Sequence, residues 1–137
     1  MSGLVAAARN AYGAFAARDA ERLRELCHPE VELQVPTAAL AGRRGPYRGP
    51  DGISAYLDDL VRVWDELELH AHEFVEAGDD RVVVLGRVVT RRDRTRNDLP
   101  SVWVLEFRDA LVFRVNVFSD AAQVAGAHVR PPDSTVD

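Results

Sequence analysis

The sequence is poor in the features that mark secreted or membrane proteins. One cysteine, Cys27, is present among 137 residues, and an internal disulfide is therefore excluded. The first residues carry neither an early cluster of basic side chains nor a sustained apolar run, so no signal peptide or membrane segment is expected. These absences predict a cytoplasmic location and no membrane partner.

The chain also lacks an excess of positive charge. Its 17 basic residues are outnumbered by 22 acidic ones, which gives a net charge of −5. Phosphate binding requires a cationic surface, and a nucleic acid partner is therefore not expected. The 47% apolar composition is sufficient for one core. We predict a single domain over residues 1–128 and a disordered tail over residues 129–137.

The first half of the sequence has helical periodicity. Apolar residues fall on one face of a first helix over about residues 3–17: Leu4, Ala8, Ala11, Tyr12 and Phe15. Asp19 is suited to cap a short second helix. A longer helix begins near Pro50, where a first-turn proline loses no hydrogen bond. Its apolar face extends from Ile53 to Trp64.

A period of two residues, typical of strands, marks several other segments. The first is Val31–Val35, which Pro36 ends, and a loop is expected between it and the long helix. Further strands follow Trp64, and Arg81–Thr90 is so apolar that we expect it to be covered on both faces. Arg91–Asp98 is predicted as a charged hairpin tip. A tight turn at residues 108–110 joins the last two strands, and Asp120 is expected to cap a final short helix.

Helices followed by an antiparallel meander indicate an α+β fold. The N-terminal helices are expected to pack in the concave face of a strongly curved, mainly antiparallel sheet, which forms a barrel or cone.

Four segments, in this order, resemble the SnoaL-like family of the nuclear-transport-factor-2-like superfamily. They are Phe15–Asp19, Tyr47–Gly52, Gly78–Asp79 and Val117–Asp120, and the likeness covers about residues 4–126. The resemblance implies a cystatin-like α+β cone with a deep apolar pocket, and a homodimer formed through the outer face of the sheet. The superfamily contains ketosteroid isomerases, polyketide cyclases, epoxide hydrolases and non-catalytic modules. The resemblance therefore does not determine an activity.

The isomerases of this superfamily place a carboxylate base just before a proline at the end of the first strand. The position resembling it is Val35, before Pro36. The acidic hydrogen-bond donor of those enzymes falls near Trp103, and their tyrosine falls near Ala11, next to Tyr12. Valine cannot abstract a proton, so isomerase chemistry by the usual route is not expected.

The hydrolases and cyclases place an aspartate on the last strand, and this position resembles Val117. Asn116 is adjacent, but neighbouring strand residues point to opposite faces unless a bulge changes the register. An amide can orient a water molecule without deprotonating it.

Three other ionisable residues are candidates for a non-standard catalytic base: Glu32, His70 and His72. Glu68, His70 and His72 share one strand face, but an exposed strand edge explains them better than a metal site, and neither a metal nor a cofactor is expected. Arg87 lies within the apolar strand, where a charge must either pair or face an anion. Pairing with Glu106 or Glu73 is the simpler interpretation.

The predicted ligand pocket combines aromatic and aliphatic residues from both halves of the chain. It consists of Tyr12, Val35, Tyr56, Trp64, Arg87, Trp103, Leu105, Val115 and Val117. Three hypotheses follow. The first is a domain that binds a small apolar or aromatic molecule, which we favour because apolar residues occupy the acid positions. The second is an isomerase, cyclase or hydrolase with a non-standard base, and the third is a dimeric interaction domain with a filled interior.

Overall fold

The computed structural model describes residues 3–118. The elements in this part are α1 (Gly3–Ala17), α2 (Ala20–Leu26), β1 (Cys27–Gln34), α3 (Pro36–Leu40), β2 (Tyr47–Arg48), α4 (Gly49–Val63), β3 (Glu66–Glu76), β4 (Arg81–Arg92), β5 (Thr95–Arg108) and β6 (Leu111–Phe118). The helix predicted after Asp120 and the tail predicted over residues 129–137 lie outside the described residues.

The strands form one open, six-stranded sheet in the order β2-β1-β6-β5-β4-β3. Neighbouring strands are antiparallel except β1 and β6, which are parallel and place Gln34 beside Asn116. The C-terminal ends of these two strands therefore meet at the same edge of the molecule. The predicted α+β class, with a mainly antiparallel sheet, is confirmed.

Side chains of the sheet alternate between a concave face and an outer face. On β5, Trp103 and Leu105 are buried, whereas Val104 between them is half-exposed. Trp103 lies at the centre of the concave face, with its ring 5.1 Å from that of Tyr12 and 5.3 Å from that of Phe15. α1 is thus held against the sheet by aromatic packing.

The predicted caps and turns have the expected backbone geometry. Asp19 accepts a hydrogen bond from the Arg22 amide at the start of α2. Asp109 and Ala110 have φ of +56° and +65°, the left-handed conformation of a tight two-residue hairpin turn.

The prediction of a loop between Pro36 and the long helix is correct only for residues 41–46. β1 ends at Gln34, and Pro36 begins the five-residue helix α3, where its missing N–H costs no hydrogen bond. The two-residue strand β2 follows before α4. Elements this short contain too few turns or alternations to produce a periodic signal in the sequence.

Within a single chain, the β4 segment is not covered on both faces as predicted. Leu85 is 38% exposed, and Arg87 is exposed on the outer face of the sheet. A continuous apolar run indicates burial without indicating which face is buried. The charged hairpin tip is shorter than predicted as well, because β4 and β5 extend to Arg92 and Thr95.

Candidate functional site

A cavity of about 200 Å³, which we call cavity A, lies between the concave face of the sheet and the helices α3 and α4. Its lining is mainly apolar and consists of Val35, Pro36, Thr37, Leu40, Tyr56, Trp64, Leu67, Leu69, Val88, Thr90, Asn97, Leu99, Trp103 and Val117.

The strand periodicity explains how this lining forms. Leu67 and Leu69 pair with Thr90 and Val88 across β3 and β4, so alternate residues of both strands face the same hollow. Val35 and Val117 lie at the C-terminal ends of the parallel pair β1 and β6 and complete the lining.

The polar groups around cavity A are few and their geometry is specific. Trp64 donates an indole hydrogen bond of 3.1 Å to the Thr37 hydroxyl, which joins the end of α4 to α3. Trp103 is only 2% exposed, and its Nε1 has no hydrogen-bond partner in the described part of the chain. A buried unpaired donor costs about 1–3 kcal/mol of stability.

Tyr12 lies beside Trp103. Its hydroxyl is also buried and also has no hydrogen-bond partner among the described residues. Burial raises the pKa of Tyr12 to about 12 and also raises the pKa of Tyr56. Both phenols are therefore neutral near pH 7, and they can donate hydrogen bonds but cannot act as bases.

Among the described residues that line cavity A there is no carboxylate and no imidazole. General acid–base catalysis near neutral pH needs a group that exchanges a proton in that range. The lining as described can enclose an apolar molecule and donate a hydrogen bond to it.

The structure brings together some of the residues predicted for the ligand pocket. Val35, Tyr56, Trp64, Trp103 and Val117 all line cavity A.

The remaining residues predicted for the pocket lie elsewhere. Leu105 and Val115 are both 0% exposed and belong to the core on the same sheet face. Alternation identifies that face correctly but does not show where along a strand the packing gives way to a cavity. Tyr12 lies behind Trp103. Arg87 lies on the outer face and donates a hydrogen bond of 2.6 Å to Asp98, not to Glu106 or Glu73.

The residues predicted as non-standard bases do not line cavity A. Glu32 lies on the outer face between Arg48 and Arg114, at 3.3 and 3.7 Å. His70 is 3.0 Å from Glu68 on the exposed edge strand β3, and His72 is exposed at the bulge of that strand.

Sequence reasoning missed the lining residues of β3, β4, α3 and the β5 hairpin. The alternation of Leu67 and Leu69, and of Val88 and Thr90, was a usable signal once the inward face was known. The contribution of α3, through Thr37 and Leu40, had no periodic signal.

A second cavity of about 440 Å³, cavity B, lies where β1 and β6 end. It is lined by Gln34, Val35, Pro36, Ala38, Ala39, Arg43, Arg44, Gly45, Pro46, Asn116, Val117 and Phe118. Asn116 stays opposite Val104, because the bulge between β5 and β6 falls at Glu106 and Phe107.

The wall of cavity B is fixed by Asp59, a carboxylate on α4 that is 1% exposed. Asp59 accepts hydrogen bonds from the Arg43 guanidinium, from the Tyr47 hydroxyl at 2.7 Å and from Arg62 at 2.6 Å. The hydrogen bond from Arg43 is the main reason that the pKa of Asp59 is well below its usual range. Burial, followed by the bond to Asp59, raises the pKa of Tyr47 to about 12.

None of the helices between residues 3 and 118 combines the length and the apolar character needed to cross a bilayer. Comparison with curated proteins gives no significant match.

Solved structures similar to this chain share the fold over nearly their full length. An NTF2-like protein of unknown function from Burkholderia pseudomallei is 26% identical, with a TM-score of 0.76, and the match covers 92% of this chain and 97% of that one. TerC, co-crystallised with polyporic acid, is 29% identical, with a TM-score of 0.76 and coverage of 91% and 97%. A cystatin-like protein of unknown function from Xanthomonas campestris is 19% identical, with a TM-score of 0.74 and coverage of 90% and 95%.

The resemblance inferred from the order of four sequence segments is confirmed at the level of the family. The model of the SnoaL-like domain matches residues 8–115, which is most of the chain. The chain therefore belongs to the SnoaL-like domain family.

Proposed function

We propose that this protein binds a small hydrophobic or aromatic molecule in cavity A. The observation that carries the proposal is the mainly apolar lining of cavity A, which is enclosed by the aromatic side chains of Tyr56, Trp64 and Trp103. Binding sites of this kind combine apolar walls with a small number of polar groups that orient the ligand. The expected ligand is largely apolar, with few oxygen atoms, which can form hydrogen bonds with the Thr37, Thr90 or Asn97 side chains of the lining.

The size of cavity A sets the size of the ligand. A cavity of roughly 150 Å³ holds benzene, so a volume of about 200 Å³ suits one or two rings. The structure of TerC with polyporic acid supports the proposal by analogy, because that protein is 29% identical to this chain. The absence of a carboxylate or imidazole from the described lining favours binding over the alternative of an enzyme with a non-standard base.

Tryptophan fluorescence tests the proposal directly, because the sequence contains two tryptophans and both line cavity A. Titration with one- and two-ring phenols, aryl ketones and bicyclic terpenoids is expected to change this emission and to raise the melting temperature. Val88→Phe places a ring inside cavity A and is expected to weaken binding about tenfold or more.

Val83→Phe is the matched control, since Val83 lies on the same strand but on the outer face. This variant is expected to bind as the wild type does. If no compound of the panel changes emission or melting temperature, the interior acts as packing and the third hypothesis replaces the proposal. Equal binding by the Val88 variant would place the ligand outside cavity A.

A further inference from the structure

Cavity B is adjacent to cavity A and differs from it in polarity. Val35, Pro36 and Val117 line both cavities, so the two cavities adjoin at these residues. The rest of the lining of cavity B contains two arginines, Arg43 and Arg44. A molecule in cavity A that extends past Val117 would reach a polar environment.

The described lining of cavity B contains positive charge and amides but no carboxylate. The amides are those of Gln34 and Asn116, which lie side by side at the ends of the parallel strands. The chain as a whole has a net charge of −5, whereas the side chains that line cavity B carry net positive charge. A local concentration of guanidinium and amide donors attracts anions.

The two arginines play different parts. Arg43 is bound to the buried Asp59, and its guanidinium also lies 5.0 Å from the centre of the Tyr47 ring. Arg44, the next residue, makes no ion pair or hydrogen bond with any described residue and is exposed. Arg43 therefore fixes the segment of residues 43–46, while the guanidinium of Arg44 is available to a ligand.

The fixed position of this segment matters for binding. Asp59 joins α4, the start of β2 and the segment before it through Tyr47 and Arg43. A wall that is held before the ligand arrives loses less conformational entropy on binding. Arginine also presents a planar group that can form two parallel hydrogen bonds with a carboxylate.

We propose that cavity B is an anion subsite, and that the ligand is an aromatic carboxylate with its rings in cavity A and its carboxylate at Arg44. This inference rests on the proposed function and specifies its ligand class. The Gln34 and Asn116 amides line the same cavity.

The test compares two molecules of the same shape, biphenyl-4-carboxylate and biphenyl-4-carboxamide, by calorimetry on the full chain at low salt. The carboxylate is expected to bind about tenfold more tightly than the neutral amide. Arg44→Gln is expected to remove this preference while leaving the affinity for the amide unchanged. Added salt is expected to reduce the preference in the wild type, because the subsite is open to solvent.

Arg22→Gln is the control, since Arg22 is an exposed arginine on α2, at the opposite end of β1. This variant is expected to keep the tenfold preference. Equal affinities of the wild type for both probes, or a preference that survives Arg44→Gln, would refute the anion subsite and leave the proposed function standing. Failure of both probes to bind would count against the proposed function itself.

Discussion

Asp59 shows how the environment of one residue outweighs its residue type. A carboxylate on the buried side of a helix is unfavourable unless its charge is paired and its oxygens are hydrogen-bonded. Arg43, Tyr47 and Arg62 meet this requirement together. Asp59 was not among the residues predicted for the core or for a site. Arg62 follows it by three residues on the same helix, but no sequence pattern indicated that Arg43 and Tyr47 would also reach this carboxylate.

Asp59→Asn is expected to lower the free energy of unfolding by about 1–3 kcal/mol, because the amide cannot accept all three donors as an anion does. The pKa of Asp59 is lower in the folded state than in the unfolded chain. Its ionisation therefore contributes stability above the unfolded pKa of about 3.9, and this contribution is lost as the pH falls through the folded value.

Urea denaturation at several pH values measures this effect. The difference between the wild type and the Asp59 variant is expected to stay constant above about pH 5 and to shrink below about pH 4. Asp58→Asn is the matched control, an exposed aspartate on the same helix, and is expected to change stability little. A difference that does not vary with pH would show that the charge of Asp59 is not what stabilises this part of the fold.

At the scale of elements, the pairing of β3 with β4 depends on a glycine. A Cβ built on Gly86 would lie 2.0 Å from the carbonyl oxygen of His70 on the neighbouring strand. The register of the two strands shifts next to this point, between Ala71 and Glu73. The close approach is therefore a property of two backbones at a bulge, which only glycine permits.

Gly86→Ala is expected to lower the free energy of unfolding by about 1–3 kcal/mol, because one strand must move to admit the methyl group. Gly13→Ala is the matched control in α1, where an added Cβ meets nothing within 4 Å. That change is expected to stabilise the protein by about 0.5–1 kcal/mol through helix propensity. Thermal denaturation measures both, and a stable Gly86 variant would mean that β3 is free to shift away from β4.

The elements differ in how well the sequence predicted them. α1 and α4 are long enough to repeat their apolar face four times, and both were predicted within about a residue. The α3 and β2 segments have too few residues for any period. Val35 and Val117 were assigned to the pocket through the family resemblance, whereas Thr37 and Leu40 of α3 could not be assigned because their helix was not predicted.

For the molecule as a whole, the outer face of the sheet carries a row of charges and an apolar patch. A row of alternating charges crosses five strands, formed by Arg48, Glu32, Arg114, Glu106 and Arg81. Cross-strand pairs of opposite charge stabilise the sheet and specify its register. Next to this row lies an apolar patch of Val75, Val83, Leu85, Val102 and Val104, of which Val75 is 39% and Leu85 38% exposed.

This patch is where we expect the predicted homodimer to form, because an exposed apolar surface bordered by charges is typical of protein interfaces. The wild type is expected to have a mass in solution of twice the 15.2 kDa chain, measured by light scattering after size exclusion. Leu85→Glu places a charge in the patch and is expected to give single chains. Val61→Glu, at a residue on α4 that is 70% exposed, is expected to leave the dimer intact.

A wild type with the mass of one chain, or a Leu85 variant that stays dimeric, would show that the patch does not hold two copies together. Cavity A lies on the opposite face of the sheet, so affinity for a ligand held within cavity A is expected to be the same in the dimer and in the Leu85 variant.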